Sequence, residues 1–276
     1  MVVSLSPVLV SLGPFAVRWF GLLALGGLGL GVWLVVREAR ARGIPTRLVF
    51  DALAWALPVG LVFARLIHVL GWWDAYVLQG GELARFDLED GLSLWGGLAA
   101  GGLVAAARLR HDPARRRRLL DVAAPAAALG IAVGRLGAFL DGAGQGLPSD
   151  LPWATRYTSP LADVPDFGVS RHPAQLYDGL VCLALFAALR SPLAMRQPAG
   201  GRAAVFFVLY GTARLLLEPL RLDPAFLFGT PIDALLAAGA VIVGLWSLLG
   251  GLRRRRAVRR ARQADLQPRD SSSLAA

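Results

Sequence analysis

Seven predominantly apolar stretches, each near the length of a membrane-crossing helix, decide what this chain can fold into. A spanning helix needs about 20 apolar residues. In hydrocarbon every backbone polar group must be satisfied internally, which leaves helices or closed barrels. The stretches fall at 17–36, 49–71, 91–109, 119–141, 173–190, 203–222 and 230–252. No strand periodicity competes, so the sequence predicts an all-α integral membrane protein with seven transmembrane helices. Composition agrees: 55% of the 276 residues are hydrophobic and the mean hydropathy is +0.54, which is unusual for a soluble chain of this length. The first stretch follows a short segment ending in Arg18, without a basic start or a small-residue cleavage site. It therefore reads as a spanning helix rather than a removed signal peptide.

Every Lys/Arg position is arginine, and the net charge is +10. Such an excess could suit nucleic acid, but its placement argues against that partner. Of the 29 arginines, 21 lie in segments 37–48, 108–118 and 190–202 and in the tail after 252. The opposite segments hold Asp74, Glu82, Asp87, Glu89, Asp90, Asp150, Asp163 and Asp166, with only Arg85, Arg156 and Arg171. The positive-inside rule then predicts the N-terminus outside and the C-terminus cytoplasmic. Residues 1–252 read as one polytopic membrane domain with an outer loop at about 142–172. Residues 253–276 read as a basic, disordered cytoplasmic tail held near anionic headgroups. The one cysteine, Cys182, lies in an apolar run and reads as core packing.

Arg65, Arg135, Arg214 and Arg221 sit near the predicted outer ends of their spans. A charge inside a bilayer costs about 2.5–3.5 kcal/mol on insertion scales, so it is rare and usually functional. Arg214, Glu218 and Arg221 are spaced i, i+4, i+7 and share one helix face. Glu218 can hold a guanidinium in place while surplus positive charge stays available to an anion such as a lipid phosphate, whose oxygens the planar fork meets two at a time. Pro219 should distort the helix beside Glu218. In the fourth span Gly130, Gly134 and Gly137 allow close helix approach. Arg135 is followed by the glycine-rich turn from Asp141 to Gly146. The fifth span opens with Arg171, His172 and Pro173, and then carries Gln175, Tyr177 and Asp178 into the membrane. His172 and His68 are candidate bases; His111, in a basic loop, reads as inert. No His/Cys/carboxylate spacing suggests a metal site.

These segments, in this order, resemble the prolipoprotein diacylglyceryl transferase family through almost the whole chain short of the tail. The resemblance is carried by Arg18-Trp19-Phe20-Gly21-Leu22, by Ala64-Arg65 through His68 to Leu70, and by Gly91 through Trp95-Gly96-Gly97. It continues in Gly134-Arg135-Leu136-Gly137, Leu151-Pro152-Trp153-Ala154, Arg171 to Asp178, and Arg214, Glu218 and Arg221. It implies transfer of a diacylglyceryl group from phosphatidylglycerol to the lipobox cysteine of a preprolipoprotein, in a bacterial cytoplasmic membrane, without metal or cofactor. By the same resemblance Arg135, Arg214 and Glu218 are expected catalytic residues; His68 joins them as the hypothesised substitute proton acceptor. Arg65, Trp95, Gly146, His172, Gln175, Tyr177 and Arg221 are the expected substrate contacts. The chain departs from the family pattern at Phe20 (a tyrosine there), Trp95 (often a histidine), Ala138 (an asparagine) and Ala143 (a glutamate). Those replacements motivate a competing class, a homologue that binds anionic lipid or lipoprotein precursor without transfer. An organic-anion transporter is a third class, though no inverted repeat is visible.

Overall fold

The computed structural model describes residues 1–12, 15–73, 76, 92–222, 226, 227 and 229–266, with backbone alone at 12, 15 and 256–266. The acidic segment 77–91, Asp74 and residues 267–276 lie outside the described residues. Helices dominate: α1 (Trp19–Ala41), α2 (Thr46–Gly71), α3 (Leu94–Arg108), α4 (Pro113–Asp141), α5 (Ala174–Leu189), the short α6 (Pro192–Met195), α7 (Gly201–Leu217) and α8 (Ile232–Leu266). Five of them, α1, α2, α4, α7 with the turn that extends it, and α8 as far as Arg255, are long and apolar enough to cross a membrane. α3 has 15 residues and α5 has 16. At 1.5 Å per residue they reach about 22–24 Å, short of a hydrocarbon core of about 30 Å. Leu25, Leu103, Leu216 and Trp246 are each more than half exposed, an outward face suited to lipid rather than water.

The expectation of an all-α chain needs correction. Val8–Leu12 and Phe15–Arg18 form an antiparallel hairpin (β2 and β3) leading directly into α1. β-branched residues recur there on either side of a Gly-Pro pair, a strand–turn signal that the long apolar runs hid. Val2–Val3 (β1) pairs in parallel with Arg156–Tyr157 (β4), and Phe226–Leu227 (β5) pairs with Thr230–Pro231 (β6). These strands sit at the helix ends, where open edges need not face hydrocarbon. α8 continues to Leu266, through an Arg- and Ala-rich sequence after 252 that favours helix.

α1 packs on α4, α2 on α3 and α8 on α7, while α5 lies against both α4 and α7. Gly27 and Gly130 let α1 and α4 approach: a Cβ on Gly27 would lie 2.6 Å from the Gly130 carbonyl oxygen. Gly137 serves the same contact, with Phe20 Cα 3.1 Å from its would-be Cβ. Gly134 does not; a Cβ there meets nothing within 4 Å, because that side of α4 faces open space. A bidentate pair ties the two helices at their junction, Arg18 donating from Nε and Nη2 to the buried Asp141 at 2.8–3.1 Å. The central core gathers Trp95, Ala128, Ile131, Cys182, Leu185, Phe206 and Tyr210 from α3, α4, α5 and α7.

Candidate active site

Four helix ends meet at one end of the bundle: the last turns of α4 and α7 and the first turns of α5 and α8. Each brings charge. Asp178, on α5 and 1% exposed, forms an ion pair with Arg135 Nε of α4 at 2.6 Å and accepts from Arg214 Nη1 of α7 at 3.3 Å. Arg214 Nη2 reaches Asp233, in the first turn of α8, at 3.2 Å, and Arg221 Nη1 reaches the same Asp233 oxygen at 2.8 Å. Glu218 stands 3.7 Å from Arg214 Nη2, and both its carboxyl oxygens are buried without a hydrogen bond. The helical spacing of Arg214 and Glu218 is therefore preserved, yet the pairing is long. Pro219 is the reason: α7 stops at Leu217 and tightens into a 3₁₀ turn over Glu218–Leu220, which moves Arg221 off the helical face.

The charge balance corrects the expected surplus. Three guanidiniums, Arg135, Arg214 and Arg221, face three carboxylates, Asp178, Glu218 and Asp233. An anion entering here does not meet free positive charge; it competes with Asp178 and Asp233 for donors. Donors remain to compete for. The two terminal amino groups of Arg135 make no hydrogen bond among the described residues, and its side chain is 22% exposed. Among the described residues the Arg221 guanidinium donates from Nη1 alone, and its side chain is 26% exposed.

The turn after α4 forms the lip. Gly142 ends the helix in the left-handed region (φ +97°), a conformation that glycine adopts without strain. Gln175 Nε2 then donates to the Ala143 carbonyl at 2.8 Å, clasping α5 to the turn. The Gly146 amide donates to His172 O at 2.9 Å, and the Leu147 amide to Leu220 O at 2.8 Å. Gly146 is thus where three segments cross, and a Cβ there would lie 2.6 Å from Leu220 O and 2.7 Å from His172 Cβ. Its role in this structure is to hold the lip's backbone rather than to line an opening. Tyr177 Oη accepts from Trp153 Nε1 at 2.8 Å and lies 3.3 Å from His172 Nδ1. Below the charge cluster, Trp95 stacks on Tyr210 with ring centroids 5.3 Å apart, one helical turn before Arg214.

Arg65 and His68 lie on α2, beside the ring of Tyr76. The Arg65 guanidinium lies over the Tyr76 ring, 5.2 Å from its centroid, and the His68 ring lies 6.0 Å from Tyr76 and 6.4 Å from Trp72. Two acids that complete the main cluster, Asp178 and Asp233, were not among the expected site residues. Each had a signal: a carboxylate in the first turns of an apolar run needs a cationic partner.

The family model described as Prolipoprotein diacylglyceryl transferase matches residues 7–249. Curated relatives named phosphatidylglycerol–prolipoprotein diacylglyceryl transferase align along most of the chain. The one from Rhodospirillum centenum is 38% identical over 264 residues, covering 89% of this chain and 91% of the relative. That from Finegoldia magna is 30% identical over 231 residues, covering 83% and 89%. One from Streptococcus pyogenes serotype M1 is 30% identical over 253 residues, covering 87% and 93%.

Proposed function

The chain belongs to the prolipoprotein diacylglyceryl transferase family, and on that premise we propose that it moves the diacylglyceryl group of phosphatidylglycerol onto the lipobox cysteine of a preprolipoprotein. The thiol sulfur forms a bond to the terminal glyceryl carbon of the diacylglycerol. The bond from that carbon to the phosphate oxygen breaks, and glycerol 1-phosphate leaves with the electron pair. The attacking species is a thiolate, so a proton must go elsewhere; His68 accepts it in this reading. Negative charge grows on the departing phosphate, and fixed guanidiniums that meet it lower the barrier.

The observation that carries this is the convergence of Arg135 and Arg214 on one buried carboxylate, with the terminal amino groups of Arg135 outside any hydrogen bond among the described residues. Asp178 holds both guanidiniums in place before substrate arrives, so little reorganisation is needed at the reaction. Arg221 and Glu218 complete the cluster, and the clasp of Gln175 on Ala143 with His172, Tyr177 and Gly146 shapes its rim. Trp95 closes the floor through Tyr210. Arg65, over Tyr76, meets the substrate beside His68 in this reading; the stacking on Tyr76 supports a fixed guanidinium there.

Seven spans, with α3 and α5 as the short ones, the N-terminus outside and the C-terminus inside a bacterial cytoplasmic membrane, complete the reading. Residues 1–252 are the membrane domain, with 142–172 as an outer loop and 253–276 as a basic cytoplasmic extension. Arginine placement supports this orientation.

The test is transfer itself. The purified chain in phosphatidylglycerol micelles is mixed with a lipobox peptide, and the mass of the cysteine is followed. The expected result is a gain of one diacylglyceryl group, slowed about 10²–10³-fold in Arg135→Ala and in Arg214→Ala. No gain, with another family member active in the same mixture, would overturn it in favour of a homologue that binds without transfer.

A further inference from the structure

The surplus positive charge missing from the Arg135 cluster is found at the opposite ends of the same helices. A cavity of about 440 Å³ opens there between the end of α1, the start of α4 and the segment that enters α7. Its walls carry Arg42, Arg118 and Arg202, with Asp121, Met195 and Gln197. Arg202 is 4% exposed, yet its Nε and Nη2 are buried without a hydrogen bond. Its nearest acid in the cluster, Glu38, stands 3.6 Å away and is already taken by Arg42 at 2.9 Å and Arg190 at 2.8 Å. Asp121 is engaged too: its two oxygens accept from the backbone amides of Gly200 at 2.7 Å and Ala203 at 3.0 Å, capping the start of α7.

Four arginines, Arg42, Arg118, Arg190 and Arg202, therefore surround two carboxylates: Glu38, shared by three of them, and Asp121, whose oxygens are taken by backbone amides. The positive-inside rule accounts for exposed arginines such as Arg118. It does not account for burying Arg202 with Nε and Nη2 outside any hydrogen bond and a single long ion pair to Glu38, since an under-satisfied buried charge is costly. A ligand of roughly two negative charges with several acceptor oxygens would neutralise the surplus and occupy those donors.

We propose that this cavity is a binding site for a phosphomonoester group, separate from the transfer site. Both a lipid headgroup and a free phosphomonoester present that chemistry. Neither the location nor the charge count depends on the transfer reaction.

The test uses the full chain in phosphatidylcholine nanodiscs. One arm titrates inorganic phosphate against thermal unfolding at constant ionic strength. The other counts phosphatidic acid retained from doped nanodiscs by native mass spectrometry. Arg202→Gln and Arg118→Gln are expected to weaken binding at least about tenfold, the loss of one charge-assisted contact. Arg135→Gln, in the other cluster, is expected to leave it intact. A response in the phosphate arm assigns a soluble phosphomonoester; a response confined to phosphatidic acid assigns a lipid headgroup. Saturable binding in neither arm overturns the proposal, as does binding that persists in both folded variants. Should Arg202→Gln fail to fold, the exposed Arg118 decides.

Discussion

Asp178→Asn is the substitution in which the geometry of the charge cluster makes its sharpest demand. Asp178 is 1% exposed and its Oδ2 serves two guanidiniums, at 2.6 Å and 3.3 Å. At an effective dielectric of about 20, a pair at about 4 Å attracts by roughly 4 kcal/mol, most of which offsets desolvation. Removing one partner leaves the other buried and uncompensated, and such losses run to about 3–5 kcal/mol. For a chain of this size that corresponds to a fall in melting temperature of roughly 6–20 °C, at about 2–4 °C per kcal/mol. The asparagine keeps the shape, so a cavity contributes nothing. The same substitution tips the local balance from three against three to three against two. Glycerol 1-phosphate should then raise the melting temperature of Asp178→Asn more than that of the parent, because the anion replaces a lost charge. Asp178→Glu, which restores the charge, should recover much of the loss. The assay is thermal unfolding in nanodiscs with and without glycerol 1-phosphate. A variant that melts within about 1 °C of the parent, with no greater response to the anion, would refute the claim that Asp178 occupies donors the phosphate needs.

Two further outcomes follow from packing and burial. Gly27→Ala should separate α1 from α4 and destabilise by about 1–3 kcal/mol, since its Cβ would sit 2.6 Å from Gly130 O; Gly134→Ala, facing open space, should melt within about 1 kcal/mol of the parent, and equal effects would refute the helix contact. Tyr157→Phe should cost about 1–3 kcal/mol by chemical denaturation, because Tyr157 donates to Phe139 O, one of the orphan carbonyls at the end of α4. Burial, and then the charge of Asp141, push that phenol above its ordinary range, so it stays a donor. Its folded value lies above the unfolded one, so the bond is fully present below about pH 10; a Phe variant as stable as the parent at neutral pH would contradict it.

The sequence carried the spanning helices and the arginines because both obey one-dimensional rules: about 20 apolar residues per span, and charge inside them only with a purpose. What it hid depended on pairing across the fold. Asp178 and Asp233 lie 36 and 19 residues from Arg214, and nothing in their local sequence names that partner. The hairpin at Val8–Leu12 was masked because a short β-branched run beside a long apolar one does not break the larger pattern. Gly134 and Gly137 look alike in sequence; only the path of α1 decides that one touches Phe20 and the other faces open space.

The four departures from the family pattern remain to be weighed against the arginines. Ala138 and Ala143 replace polar groups at the end of α4 and in the turn beyond it, and in this chain Ala143 contributes its carbonyl, bound by Gln175. Trp95 replaces a possible proton acceptor with an aromatic floor, stacked on Tyr210. A missing base has a bounded cost for a thiol nucleophile. With a pKa of about 8.5, a free cysteine is about 3% thiolate at pH 7, so waiting for spontaneous ionisation costs about 2 kcal/mol, or roughly 30-fold. One donor to a developing anion is worth about 2.7–4 kcal/mol, and the proposed mechanism supplies two arginines. On the proposed reading the arginines outweigh the missing polar groups, which predicts transfer without them. This gives a profile to measure. If His68 takes the proton, His68→Ala should fall by no more than about 30-fold at pH 7 and then rise about tenfold per pH unit until the thiol itself ionises near 8.5. The parent should flatten well before that. Identical profiles for the two would place the proton acceptor elsewhere, and a loss at pH 7 far beyond 30-fold would mean that His68 positions substrate as well.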